Sequence, residues 1–199
     1  MRWHKFISTI LHPIVMPTIG ILLYFFFSPI GLNKQQQYTI LAIVFVATYL
    51  IPMLLLVFLK SIGYIKSFRV HSINERKFPI FFMMTLFLIL GKMFASMSIV
   101  KEISYLFYGT VFGLGFIYLL FPFKIKGSLH LLSMGVAVGY FLLFQQIQAV
   151  YVLPVIISFI FLAGLLASSR LHLKAHTVKE VYLGFFIGLI APFIAYYAL

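Results

Sequence analysis

Residues 38–59 read YTILAIVFVATYLIPMLLLVFL, 22 residues without a charge. As a helix such a run is about 33 Å long, enough to cross the hydrocarbon core of a bilayer. The rest of the chain has the same character. Of its 199 residues 63% are hydrophobic and 9% charged, with mean hydropathy +1.12. A soluble domain carries charge on about a quarter of its residues, so a water-soluble globular fold is excluded.

Working outward, seven segments qualify as candidate spans: Ile10–Leu32, Tyr38–Leu59, Phe78–Met97, Ile103–Phe123, Leu129–Gln146, Val150–Ala167 and Val181–Leu199. The first carries His12, Pro13 and Pro17 near its start, a marked lead-in that predicts a late start or a partly interfacial course. The third carries Lys92 near its far end, placed to snorkel toward headgroups. None of the runs shows the ten-residue alternation of a membrane β-barrel. Residues 1–9 are short and basic with no small-residue cleavage site after them, which reads as a retained first span rather than a cleaved signal peptide. The expected fold is all-α: a polytopic transmembrane bundle of six to seven spans, one integral-membrane domain over residues 1–199.

The charges are lopsided, 15 Lys and Arg against three acids, for a net +12. The acids are Glu75, Glu102 and Glu180, and there is no Asp or Cys. No disulfide, thiol nucleophile or Cys-ligated metal is available. Three scattered carboxylates do not build an acid-rich Mg²⁺, Ca²⁺ or two-metal site, so no metal or cofactor is expected. The basic residues punctuate apolar runs, so an anionic membrane surface or an anionic lipid suits them better than nucleic acid.

If all seven segments span, one face carries the N-terminus and the loops around 60–77, 122–128 and 168–180. That face holds twelve of the Lys and Arg residues, against Lys34 and Lys101 on the other. By the positive-inside rule it is cytoplasmic.

The same face holds the residues able to do chemistry. Ser169-Arg170 is followed after five residues by His176, and His176 after three by Glu180. Four apart on a helix, His176 and Glu180 share a face. A carboxylate so placed takes a hydrogen bond from one imidazole nitrogen and leaves the other as nucleophile or base. Arg170 suits a phosphate, which guanidinium binds in a planar, bidentate manner. Lys126-Gly127-Ser128-Leu129-His130 opens the fifth segment, and a Gly-Ser turn at a helix start presents N–H groups to an anion. Arg69 and Arg76 flank the start of the third segment.

In this order and spacing the chain resembles the type 2 phosphatidic acid phosphatase family. That family's motifs are Lys, six residues, Arg-Pro; Pro-Ser-Gly-His; and Ser-Arg, five residues, His, three residues, Asp. Ser169, Arg170 and His176 match the third, with Glu180 in place of Asp. Ser128 and His130 keep the spacing of the second, with Gly127 and Leu129 departing from it. Arg69 replaces Lys in the first, Arg76 matches, and Lys77 holds the Pro position. The resemblance runs over residues 69–180. It implies a metal-independent membrane phosphatase acting on a lipid phosphomonoester or diphosphate. His176 would attack phosphorus to form a phosphohistidine, Glu180 would orient it, and His130 would protonate the leaving oxygen. Arg69, Arg76, Ser128 and Arg170 would hold the phosphoryl oxygens, with Lys126 aiding capture. The family also implies a periplasmic or lumenal site, opposite to the charge bias, and a bacterial inner membrane as location.

Other readings use the same residues. Taken alone, His176 and Glu180 also describe an interfacial ion pair. His130, His172 and His176 form an alternative zinc set, which leaves Ser169-Arg170 without a role. The main rival function is a catalytically silent member that binds anionic lipid or serves in a larger membrane complex, and a homo-oligomer is a further partner state. A small transporter or channel would need charge along its path, for which Lys92 is the one intramembrane candidate.

Overall fold

Polar caps and prolines decide where the apolar runs start and break. A computed structural model describes residues 2–68 and 72–199. Among these residues there are helices and no strand. The helices are α1 (Arg2–Ile10), α2 (Met16–Phe27), α3 (Lys34–Ser61), α4 (Ile73–Ala95), α5 (Ile103–Leu119, extended by a 3-10 turn at Phe121–Phe123), α6 (Leu129–Gln148), α7 (Leu153–His172) and α8 (Val178–Ala198). α3 to α8 are the six long and apolar enough to cross a membrane. The chain is a multi-pass helical membrane protein.

The first expected span is not one helix. Pro13 has no N–H and disfavours helical geometry at His12 before it, so α1 ends and α2 starts afresh. Pro17 lies in the first turn of α2, where its missing N–H is tolerated. α2 has 12 residues, about 18 Å, too short to cross as a helix. The segment still runs the length of the bundle. The His12 ring lies 5.0 Å from His130 and the Tyr24 ring 5.3 Å from Phe144. His130 and Phe144 stand about 21 Å apart along α6. The N-terminus therefore reaches the same end as the 168–180 loop, as the loop division predicts.

α3 starts on a reciprocal cap. Gln36 N–H donates to Asn33 Oδ1 at 2.8 Å, and Asn33 N–H to Gln36 Oε1 at 3.0 Å. Within α3 the turn Val46–Leu50 widens to π geometry just before Pro52. The ring of Pro52 clashes with the carbonyl four residues back in a regular helix, and the wider turn relieves it.

α6 and α8 make the closest helix pair. Gly135 and Gly139 on α6 lie against the backbone of α8, and Gly184 and Gly188 on α8 lie against the backbone of α6. A Cβ at Gly135 would strike the Phe185 carbonyl, at Gly139 that of Leu189, at Gly184 that of Ser128 and at Gly188 that of Leu132. Small residues four apart on both helices let backbone meet backbone, the packing that holds helices together in lipid. This contact aligns the first turns of the two helices, and the Ser128 N–H donates to the Glu180 carbonyl at 3.0 Å. At the opposite end Gln148 Nε2 donates to the buried Glu102 carboxylate at 3.0 Å.

Candidate active site

α7 closes with a Schellman turn. Lys174 takes a left-handed conformation at φ 50°. Its N–H donates to the Leu171 carbonyl at 2.9 Å, and the Ala175 N–H to the Arg170 carbonyl at 3.1 Å. The tight reversal points the chain back into the bundle, so His176 is buried between α7 and α8.

The next residues form the cap of α8. Thr177 is the N-cap, and its Oγ1 accepts from the Glu180 N–H at 3.3 Å. The Glu180 carboxylate returns to the Thr177 N–H at 3.0 Å. The same oxygen, Oε2, lies 3.0 Å from His176 Nδ1. A carboxylate only accepts, so Nδ1 carries the proton and Nε2 is left with its lone pair. Burial, more than any other cause, pushes the His176 imidazole down to about 4. Arg170 and Arg76 add to this, and Glu180 pulls the other way. The ring is neutral at pH 7.

His176 opens onto a cavity of about 200 Å³. Arg76, Arg170, His130 and His12 line the same end. Arg76 comes from the first turn of α4 and is buried. Arg170 comes from the last turn of α7. His130 lies in the first turn of α6 and donates Nε2–H to the Ser8 carbonyl at 3.2 Å. Arg170 Nη1 donates to Ser8 Oγ at 2.9 Å. Beyond this polar end the wall is apolar, through Pro79, Leu106 and Leu114 to Phe87 and Phe141. Phe87 is eleven residues past Arg76 on α4, so the apolar part reaches about 16 Å into the bundle.

Five of the sequence-derived residues thus meet: His176, Glu180, His130, Arg76 and Arg170. Arg69 falls outside the described residues. Ser128 is the N-cap of α6 and fully buried, but it does not line the cavity, and its Oγ finds no hydrogen-bond partner among the described residues. Its visible role is the backbone bond to Glu180. Lys126 is half-buried in the preceding loop and also off the cavity wall. His172 is exposed and stacks on His4, with ring centroids 4.1 Å apart, so it points away from His176. Among the described residues no group of three His, Cys, Asp or Glu is arranged as metal ligands. Lys92 is exposed on α4 and does not line this cavity.

One cavity residue and one residue behind the site escaped the sequence motifs. His12 lies on the wall, and Ser8 holds both Arg170 and His130. The signal for His12 was the His-Pro pair ahead of an apolar run. Ser8 carried none. Comparison with family models, with curated proteins and with solved structures returns no match.

Proposed function

We propose that the protein is a lipid phosphate phosphatase of the bacterial inner membrane, working through a phosphohistidine. The observation that carries the reading is the His176–Glu180 pair, Nδ1 to Oε2 at 3.0 Å, opening onto a cavity that two arginines and a second histidine also line. The free Nε2 of His176 attacks phosphorus while Arg76 and Arg170 hold the phosphoryl oxygens and stabilise their developing charge. His130, entering as the imidazolium, gives its Nε2 proton to the leaving oxygen as the P–O bond breaks and is left as the neutral imidazole. It then takes a proton from the water that attacks the phosphohistidine, releasing phosphate and restoring His176. The apolar wall receives the lipid chain.

The test is a panel of lipid phosphomonoesters and diphosphates, assayed with chelator present, for wild type beside His176→Ala. Phosphate release that is lost in His176→Ala supports the reading. No turnover on any member, or full turnover in His176→Ala, overturns it. Sidedness follows from a single Cys placed in 168–180 and labelled from each face, since the native chain has none.

A second reading is a silent lipid-binding protein. It is favoured by Ser128, which the motif assigns to phosphate and the fold sets behind the cavity wall. It predicts saturable binding of lipid phosphate without release of phosphate.

A further inference from the structure

Ser8 engages two groups that the phosphatase reading assigns to the substrate. Its Oγ accepts from Arg170 Nη1 and its carbonyl from His130 Nε2, at 2.9 and 3.2 Å. Ser8 is buried on the inner face of α1, where His4 Nδ1 also lies 3.3 Å from Ser169 Oγ. The outer face of α1 is different. Trp3, Phe6 and Ile10 are exposed, Trp3 stacks on Phe6 at 5.6 Å, and Arg2 and Lys5 stand beside them. α1 contains no acid. A helix with aromatic and cationic residues outside, at the end of a membrane bundle, suits the plane of an anionic headgroup layer.

We propose that α1 is a latch on the cleft, which phosphate displaces. The inference rests on Arg170 and His130 being the phosphate-binding groups. The Nη1 and Nε2 protons directed at Ser8 are the ones a phosphoryl oxygen would take, so Ser8 and phosphate compete for them. The outer face docks in the anionic phospholipid surface around the bundle, which keeps α1 beside the cleft after Ser8 lets go. Ser8 thus opposes substrate binding, where an ordinary ligand residue would support it.

Trp3 is the single tryptophan of the chain, so its emission reports on α1 alone. The protein is placed in nanodiscs of phosphatidylcholine mixed with anionic phosphatidylglycerol and titrated with dioctanoyl phosphatidic acid, inorganic phosphate or dioctanoyl phosphatidylcholine. A saturable change in Trp3 emission and acrylamide quenching is expected with phosphatidic acid and none with phosphatidylcholine. A matching response to inorganic phosphate assigns release to the phosphate group itself, and a response to phosphatidic acid alone assigns it to lipid-borne phosphate; both support the latch. In Ser8→Ala the half-saturating concentration falls by about tenfold, the equivalent of one lost hydrogen bond to a charged group. A higher concentration in Ser8→Ala overturns the latch and makes Ser8 a ligand. So does a silent Trp3 in protein that still releases phosphate. A Trp3 response without turnover keeps the latch and removes the phosphatase reading. Arg170→Ala abolishes the response, and a response of unchanged size there overturns the proposal.

Discussion

Glu180 holds His176 with the same carboxylate oxygen that caps its own helix. Oε2 lies 3.0 Å from His176 Nδ1 and 3.0 Å from the Thr177 N–H. A residue needed for helix geometry thereby also fixes an imidazole tautomer. The longer Glu arm is accommodated because the carboxylate folds back over the first turn of α8.

The two duties separate by mutation. Thr177→Ala removes the cap and costs about 1 kcal/mol of stability, with most phosphate release retained. Glu180→Gln keeps an acceptor for both N–H groups but removes the charge that stabilises the imidazolium. Its phosphate release falls by about 10²-fold or more while its Tm moves little. Melting curves beside a release assay measure both. Equal losses of activity in the two variants would reduce Glu180 to a cap.

Protonation of His176 makes stability fall with acid. The unfolded imidazole titrates near its ordinary 6.5, while the folded one stays neutral down to about 4. Between these values the unfolded chain binds more protons, so stability drops as the pH falls from 6.5 to 4 and levels below that. His176→Gln lacks this contribution. The Tm difference, wild type minus variant, therefore shrinks or changes sign between pH 7.5 and 4.5. A difference constant over that range would refute burial of a neutral ring.

Gly188 is one of the positions where added volume meets backbone. Its Cβ would strike the Leu132 carbonyl, a backbone atom that moves only if α6 moves. Gly188→Ala should lose about 1–3 kcal/mol and, by loosening the Ser128–Glu180 contact, lower phosphate release too. Gly164 on α7 has nothing within 4 Å of its added Cβ. Gly164→Ala is the control and keeps wild-type Tm or better.

Lys174 is a non-glycine residue in a left-handed turn, φ 50°. Lys174→Gly relieves about 1 kcal/mol of backbone strain and raises Tm. Activity is unchanged if Lys174 has no part in phosphate capture. Loss of activity with raised stability would give its ammonium a role in capture.

Length and hydropathy determined the membrane class and all six of the long helices, because twenty apolar residues have no other stable place than a bilayer. The pairing in the 168–180 loop was legible from spacing, but not its geometry: His176 lies ahead of the Thr177 N-cap, outside the helix, and meets Glu180 because the capping carboxylate folds back rather than because the two share a helix face. The first segment was legible in part: His12, Pro13 and Pro17 announced a late start, and the helix does begin at Met16, but the path of α2 along α6 came only from the fold. The site's full membership was not legible. Ser128 has the motif spacing but points its backbone, not its hydroxyl, at the site region, because the glycine contact of α6 with α8 buries its side chain. Ser8 and His12 are 162 and 164 residues from Arg170 and His176 respectively. Nothing local marks them as neighbours. They meet only because the N-terminal helix packs across the ends of α6 and α7, a contact between distant elements that spacing along the chain does not encode.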